Sequence, residues 1–162
     1  MKLIDLLKQA KEIIAETGRF EMSQWHSGIL GEEVNIKECG TACCIGGWMV
    51  ALLEDEMNGG DHNEYCMNLQ SYYDLDELFY AFRWDEFLDP KDWDRLYAEV
   101  VSHSILDDSH KEANKGAWFN SAFDKMPAKR KVYWAGVVID AYIDNWEGYL
   151  DKEVTIEDLN EA

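Results

Sequence analysis

The chain has 162 residues, 47% of them apolar, and its 33 acidic and 15 basic side chains give a formal net charge of −18. The length suits one domain, and the apolar share is typical of a globular protein rather than a disordered acidic tail. The negative charge disfavours direct binding to nucleic acid or to an anionic membrane, since both attract basic proteins.

The first apolar stretch predicts the first helix and lacks the pattern of a secretory leader. Leucines and isoleucines recur at helical spacing from Leu3, and Gly18 is placed to end that helix. Charges interrupt this stretch, and no run of 18 apolar residues occurs anywhere. We therefore expect neither a secretory leader nor a membrane span, and we predict a cytoplasmic protein.

The next segments are an extended stretch, an apolar helix and a loop. Apolar and polar residues alternate over 32–38, so this segment is expected to be a short strand or an extended stretch. Thr41 is a candidate cap for an apolar helix from Ala42 to about Glu56. Small residues at Gly46 and Gly47 would allow close approach of a second helix, such as the long one at 128–149. The glycine-rich breaker that follows predicts a loop over 57–73.

Capping signals mark the helices of the second half. Asp74 with Glu77 has the spacing of a capping box, and Asp89 precedes a proline at the first helical position. Pro127 opens the longest helical pattern, and residues 153–162 are expected to form a short terminal helix that frays. The chain is therefore predicted to be a mainly α, compact single-domain bundle of about six or seven helices over residues 1–162.

The negative charge is concentrated in the central third. Residues 54–99 hold 14 acidic and 3 basic side chains, a net charge of −11, and many aromatic residues lie among them. One interpretation is a pair of amphipathic helices with buried rings and solvated carboxylates. The other is an acidic face with aromatic anchors that docks on a basic partner and imitates nucleic-acid phosphates. Its candidate partner-binding residues are Asp74, Asp76, Glu77, Trp84, Asp85, Glu86, Asp89, Asp92, Trp93 and Asp94.

One basic cluster stands against this background. Its members surround Pro127 and are Lys125, Lys129, Arg130 and Lys131. Pairing with nearby acids would explain it in so acidic a protein. The alternative is an anion-binding corner at a helix start, where a nucleotide phosphate could bind.

The cysteines give a weak case for a metal or for catalysis. Small buried thiols are the leading interpretation. A zinc set drawn from the spacing is Cys39, Cys44, His62 and Cys66, but it lacks a Cys-x-x-Cys knuckle. A cysteine-dependent enzyme is the other alternative, because a thiol at a helix start has a lowered pKa. The sequence indicates no cofactor and no catalytic residue.

The cysteine segment resembles a group of small phage and bacterial proteins that carry Cys-Gly-Thr-x-x-Cys-Ile-x-Gly-Trp. The matching residues are Cys39, Gly40, Thr41, Cys44, Ile45, Gly47 and Trp48. The resemblance implies a phage or mobile-element setting, in which small acidic proteins often bind and block host machinery. We therefore expect a non-enzymatic inhibitor of a basic host protein, such as a nuclease or a CRISPR effector, that makes no direct nucleic-acid or membrane contact. The alternative is a protein that binds and sequesters a nucleotide. A zinc-dependent or cysteine-dependent enzyme is a third and less favoured alternative.

Overall fold

The computed structural model describes residues 1–20, 45–53, 62–103, 119, 122–145, 149–155 and 159, with the backbone alone for 62–64 and 82. This part of the chain is mainly helical and contains no strand, so the predicted all-α class is confirmed. The helices are α1 (Leu3–Thr17), α2 (Ile45–Leu52), α3 (His62–Tyr72), α4 (Asp76–Phe79), a 3-10 helix (Ala81–Glu86), α5 (Pro90–Ser102) and α6 (Ala128–Asn145). None of them combines the length and the apolar character needed to cross a bilayer.

Helix α1 packs against α2 and α6, and its two ends show why the sequence stops it there. Gly18 adopts a left-handed conformation with φ of +66° and donates its N–H to the carbonyl of Ile14 at 2.9 Å, as the sequence predicts. At the other end, Leu3 donates to the carbonyl of Lys152 at 2.9 Å and Ile4 to that of Leu150 at 3.0 Å. The segment 149–155 thus satisfies N–H groups that a helix start leaves unpaired.

Helix α2 is buried along its length, and its glycine contacts an aromatic ring. A Cβ at Gly46 would lie 2.8 Å from Cε2 of Phe79, so only glycine admits this ring. At Gly46 the close neighbour is therefore α4 and not the long helix that the small-residue spacing suggests. The predicted cap Thr41, the start of that helix at Ala42 and the expected extended segment 32–38 lie outside the described residues.

Two predictions for the region after α2 are wrong. The loop expected over 57–73 contains helix α3, which buries Tyr65, Cys66 and Leu69 against the core. The capping box at Asp74 does not form, because Asp74 has φ of +54° and no side chain caps α4. Leu75 takes the N-cap position of α4 and is itself fully buried. Core packing therefore decides the local conformation here, against the polar signals in the sequence.

The predicted starts of the last two described helices are confirmed. Asp89 accepts a hydrogen bond from the backbone N–H of Lys91 at 2.8 Å and caps α5, with Pro90 at its first position. The carbonyl of Pro127 accepts from the N–H groups of Arg130 and Lys131 at the start of α6. Buried residues from all of these helices join one hydrophobic cluster. Of the predicted terminal helix, only 153–155 and the buried Leu159 are described.

Candidate functional site

A pocket of about 540 Å³ lies where the 3-10 helix meets α5. We call it the acidic pocket, and the described residues that line it are Arg83, Asp85, Glu86, Trp93, Asp94, Tyr97, Ala98 and Phe119. Four of these, Asp85, Glu86, Trp93 and Asp94, belong to the partner-binding set that the sequence suggests. The central acidic segment therefore does bring carboxylates and an aromatic ring to one place.

Three aromatic rings are among the described residues that line the pocket. Trp93 and Tyr97 lie one helical turn apart on α5, and both rings are half-buried. Phe119 stacks on both, with ring centroids 5.5 Å from Trp93 and 6.1 Å from Tyr97 and interplanar angles of 21° and 25°. Because Phe119 is almost completely buried, it fixes the two partly exposed rings against the core.

Carboxylates form the other part of the lining. Asp85, Glu86 and Asp94 are exposed, and Arg83 is the one basic residue among the described residues that line the pocket. The Arg83 guanidinium donates to Glu77 at 2.9 Å and to Glu86 at 3.4 Å. Within the described part of the chain, no hydrogen bond or ion pair engages the side chains of Asp85 and Asp94. Two carboxylates with no partner among the described residues thus line the same pocket as the partly exposed rings, an arrangement that attracts a cationic group.

Four of the other five predicted carboxylates have hydrogen-bond or ion-pair partners within the fold. Asp76 accepts from Gln70 at 2.7 Å, and Glu77 holds Arg83. Asp92 lies 3.4 Å from Arg95 in the next turn of α5. Asp89 caps α5, and Asp74 lies exposed in the turn before α4. These five carboxylates are absent from the pocket lining.

Trp84 is a core residue and not a surface anchor, which corrects its place in the predicted set. Its side chain is fully buried, its indole N–H donates to the carbonyl of Leu78 at 2.8 Å, and its ring packs edge-on against Phe123 at 5.6 Å. The sequence could not separate Trp84 from Trp93, because both lie among acidic residues. The interior satisfies the indole N–H of Trp84.

The four residues of the basic cluster differ in exposure and in their hydrogen-bond partners. Lys125 and Lys129 are exposed, whereas Lys131 is buried and its ammonium lies 3.4 Å from the carbonyl of Asp124. Arg130 donates to the Glu99 carboxylate through Nη2 at 2.7 Å and through Nε at 3.1 Å. Pairing with neighbouring acceptors therefore accounts for two of the four cations.

Glu99 links α5 to α6 through this contact. It also accepts a hydrogen bond from the indole N–H of Trp134 at 3.0 Å. The hydrogen bonds from Arg130 and then Trp134 lower the pKa of Glu99, against the opposing effect of burial. The carboxylate is thus held in its charged form between the two helices.

Comparisons with known proteins point to no function, so the proposed function is based on the acidic pocket. No family model, curated protein or solved structure matches this chain. The likeness of the segment from Cys39 to Trp48 to small phage and bacterial proteins therefore stays a prediction.

The weak zinc set cannot be assembled from the described residues. Cys39 and Cys44 lie outside them, only the backbone of His62 is described, and Cys66 is buried. No group of three or more metal-ligating side chains occurs in the described part of the chain.

Four of the described lining residues lie outside the partner-binding set drawn from the sequence: Arg83, Tyr97, Ala98 and Phe119. Three of them differ in how strongly the sequence indicates them. Tyr97 has a readable signal, since it follows Trp93 by four residues on a helix whose cap is evident. Arg83 has a weaker one, as a basic residue within a very acidic segment. Phe119 has none, because only tertiary packing brings it from a distant part of the chain onto α5.

Proposed function

We propose that the chain is a non-enzymatic binding protein that docks through its acidic pocket and the surrounding carboxylates on a basic host protein that handles nucleic acid, and thereby inhibits it. One observation carries the proposal. Asp85 and Asp94, which have no hydrogen-bond or ion-pair partner among the described residues, lie in one pocket with the partly exposed rings of Trp93 and Tyr97. A nuclease or a CRISPR effector in the host cytoplasm is the kind of partner that this chemistry suits.

The physical case joins long-range and short-range effects. A net charge of −18 attracts a basic surface from a distance and raises the rate of encounter. At contact, exposed carboxylates can occupy positions that phosphates take in a basic groove, while rings supply the desolvated anchors typical of binding hot spots. Both components are required, since charge by itself gives weak binding that salt removes.

The experiment measures binding to a panel of purified basic nucleases and CRISPR effectors over a range of salt concentrations. We expect at least one of them to bind, with an affinity that falls steeply as salt rises, and we expect its nucleic acid to compete. Neutralising the pocket carboxylates together, by Asp85→Asn, Glu86→Gln and Asp94→Asn, should abolish inhibition of that partner.

A matched control distinguishes the effect of the pocket carboxylates on binding from the effect of the overall charge. Helix α1 carries three exposed acids with no ion pair among the described residues, Asp5, Glu12 and Glu16. Neutralising them also removes three charges and should leave most of the binding intact. Equal losses from the two triple variants, salt-insensitive binding, or binding to no member of the panel would each contradict the proposal.

A nucleotide screen by thermal shift tests the alternative of small-ligand sequestration. A ligand present at 100 times its dissociation constant should add about 2.7 kcal/mol of stability. We expect no such stabilisation, because Arg130 and Lys131 already bond within the protein and leave two exposed lysines in that cluster. A clear shift with a nucleoside triphosphate would favour sequestration instead.

A further inference from the structure

We propose that the acidic pocket receives one arginine side chain of the basic partner, with the guanidinium plane against the Trp93 ring and its N–H groups on Asp85 and Asp94. This inference rests on the proposed function, since it takes the basic protein as the source of the side chain. It adds the chemical identity of the group that is bound and the residues that bind it.

The composition of the lining selects a cation. The described lining residues include three carboxylates and one guanidinium, that of Arg83, and their net charge is two negative units. Arg83 pairs with Glu77 and Glu86, so among the described residues no cation balances Asp85 and Asp94. A pocket of about 540 Å³ lies within the size range of sites for small ligands and has room for a long side chain.

The rings favour arginine over lysine. A guanidinium is planar, stacks on aromatic faces and sheds water more readily than an ammonium, whereas an ammonium is a compact and strongly hydrated charge. The stack of Trp93 on Phe119 holds the Trp93 indole firmly, so an incoming guanidinium meets a platform that is already ordered. The guanidinium fork can also bond two carboxylate oxygens at once.

The test is a titration followed by two-dimensional NMR of the full chain. The probes are N-acetyl-arginine amide, N-acetyl-lysine amide and the neutral isostere N-acetyl-citrulline amide. We expect saturable shifts for the arginine probe at the Trp93 indole and at the amides of Tyr97 and Ala98. Lysine should bind more weakly, and citrulline should not saturate.

Two single-charge variants of α5 make a matched pair. Asp94 lines the pocket, whereas Asp92 lies two residues earlier and pairs with Arg95. Asp94→Asn should weaken the arginine probe about fivefold, the equivalent of about 1 kcal/mol, and Asp92→Asn less than about twofold. Trp93→Leu keeps an apolar contact with Phe119 and should weaken arginine more than lysine. A preserved spectrum away from the substitution shows that each variant is folded.

Each outcome decides the inference. Equal weakening by Asp92→Asn and Asp94→Asn, equal affinity for lysine, or saturation by citrulline would overturn it, as would the absence of binding. Failure of the proposed function looks different: the arginine probe binds in the pocket while no basic protein does. If a basic protein binds with the expected salt dependence and the probe does not, the function stands and the pocket inference falls.

Discussion

Glu99 offers the sharpest test of how the helices around the pocket are held together. Its carboxylate accepts from Arg130 on one side and from the Trp134 indole on the other. Trp134 is 1% exposed, so its indole N–H has less access to a replacement acceptor from water than the Arg130 side chain, which is 41% exposed and can return to solvent. The indole hydrogen bond should therefore dominate the contribution of Glu99 to stability.

The change to make is Glu99→Ala. An unsatisfied buried donor costs about 1–3 kcal/mol, and a half-exposed ion pair adds about 0–1 kcal/mol, so we expect a loss of about 2 kcal/mol in the free energy of unfolding. For a chain of this length, that loss should lower the melting temperature by roughly 4–8 °C. Urea unfolding followed by circular dichroism measures the first quantity, and a thermal melt measures the second.

Two matched variants check the reasoning. Arg130→Ala leaves the bond between Glu99 and Trp134 intact and should cost less than about 1 kcal/mol. Glu99→Gln keeps an acceptor for the indole and should fall between the other two. If Arg130→Ala proved as costly as Glu99→Ala, the ion pair would dominate and the argument from the buried indole would be refuted.

The same site has a pH dependence of known sign. Hydrogen bonds from Arg130 and Trp134 lower the pKa of Glu99 in the folded protein. Its contribution to stability is therefore present above the pKa of an unfolded glutamate, about 4.3, and is lost as the pH falls through the lower folded pKa. The difference in stability between the protein and its Glu99→Gln variant should shrink from pH 7 to pH 3. A difference that grew on acidification would contradict this sign.

Three further predictions concern the fold. Gly46→Ala places a methyl group 2.8 Å from the Phe79 ring and should lower the free energy of unfolding by about 1–3 kcal/mol. Its control, Gly136→Ala, meets only ordinary van der Waals contact and should raise the free energy of unfolding by up to about 1 kcal/mol. Urea unfolding measures both. Asp89→Ala removes the cap of α5 and should cost about 1 kcal/mol, and restoration by Ser would confirm the capping role. Tyr73→Phe removes a 2.9 Å hydrogen bond to the C-terminal segment, so the amides of the first turn of α1 should exchange faster with deuterium, and unchanged rates would count against that coupling.

The parts of the fold that sequence predicts are those with local causes. Gly18 ends α1 because a left-handed residue favours glycine, and Asp89 starts α5 because its side chain accepts from a backbone N–H two residues on. Each signal and its effect lie within one turn of helix. No distant part of the chain is needed to interpret them.

The parts that sequence misses have distant causes. Helix α3 contains few strong helix formers, and burial of Tyr65, Cys66 and Leu69 stabilises it instead. Asp74 and Glu77 have the spacing of a capping box, yet the buried Leu75 takes the N-cap position of α4. Glu77 accepts a hydrogen bond from Arg83 instead of capping the helix. Tertiary contacts determine the conformation of both segments, and residue spacing along the chain does not reveal those contacts.

The acidic pocket shows the same division at the level of function. Counting charges locates an acidic segment, but within it Asp76, Glu77, Asp89 and Asp92 already have partners. Such carboxylates contribute to the long-range field and little to a new contact, because a new partner must compete with the existing one. Under the proposed function, short-range recognition therefore falls to Asp85 and Asp94. Encounter with a basic protein would depend on the charge of the whole chain, and persistence of the complex on these two residues and the rings beside them.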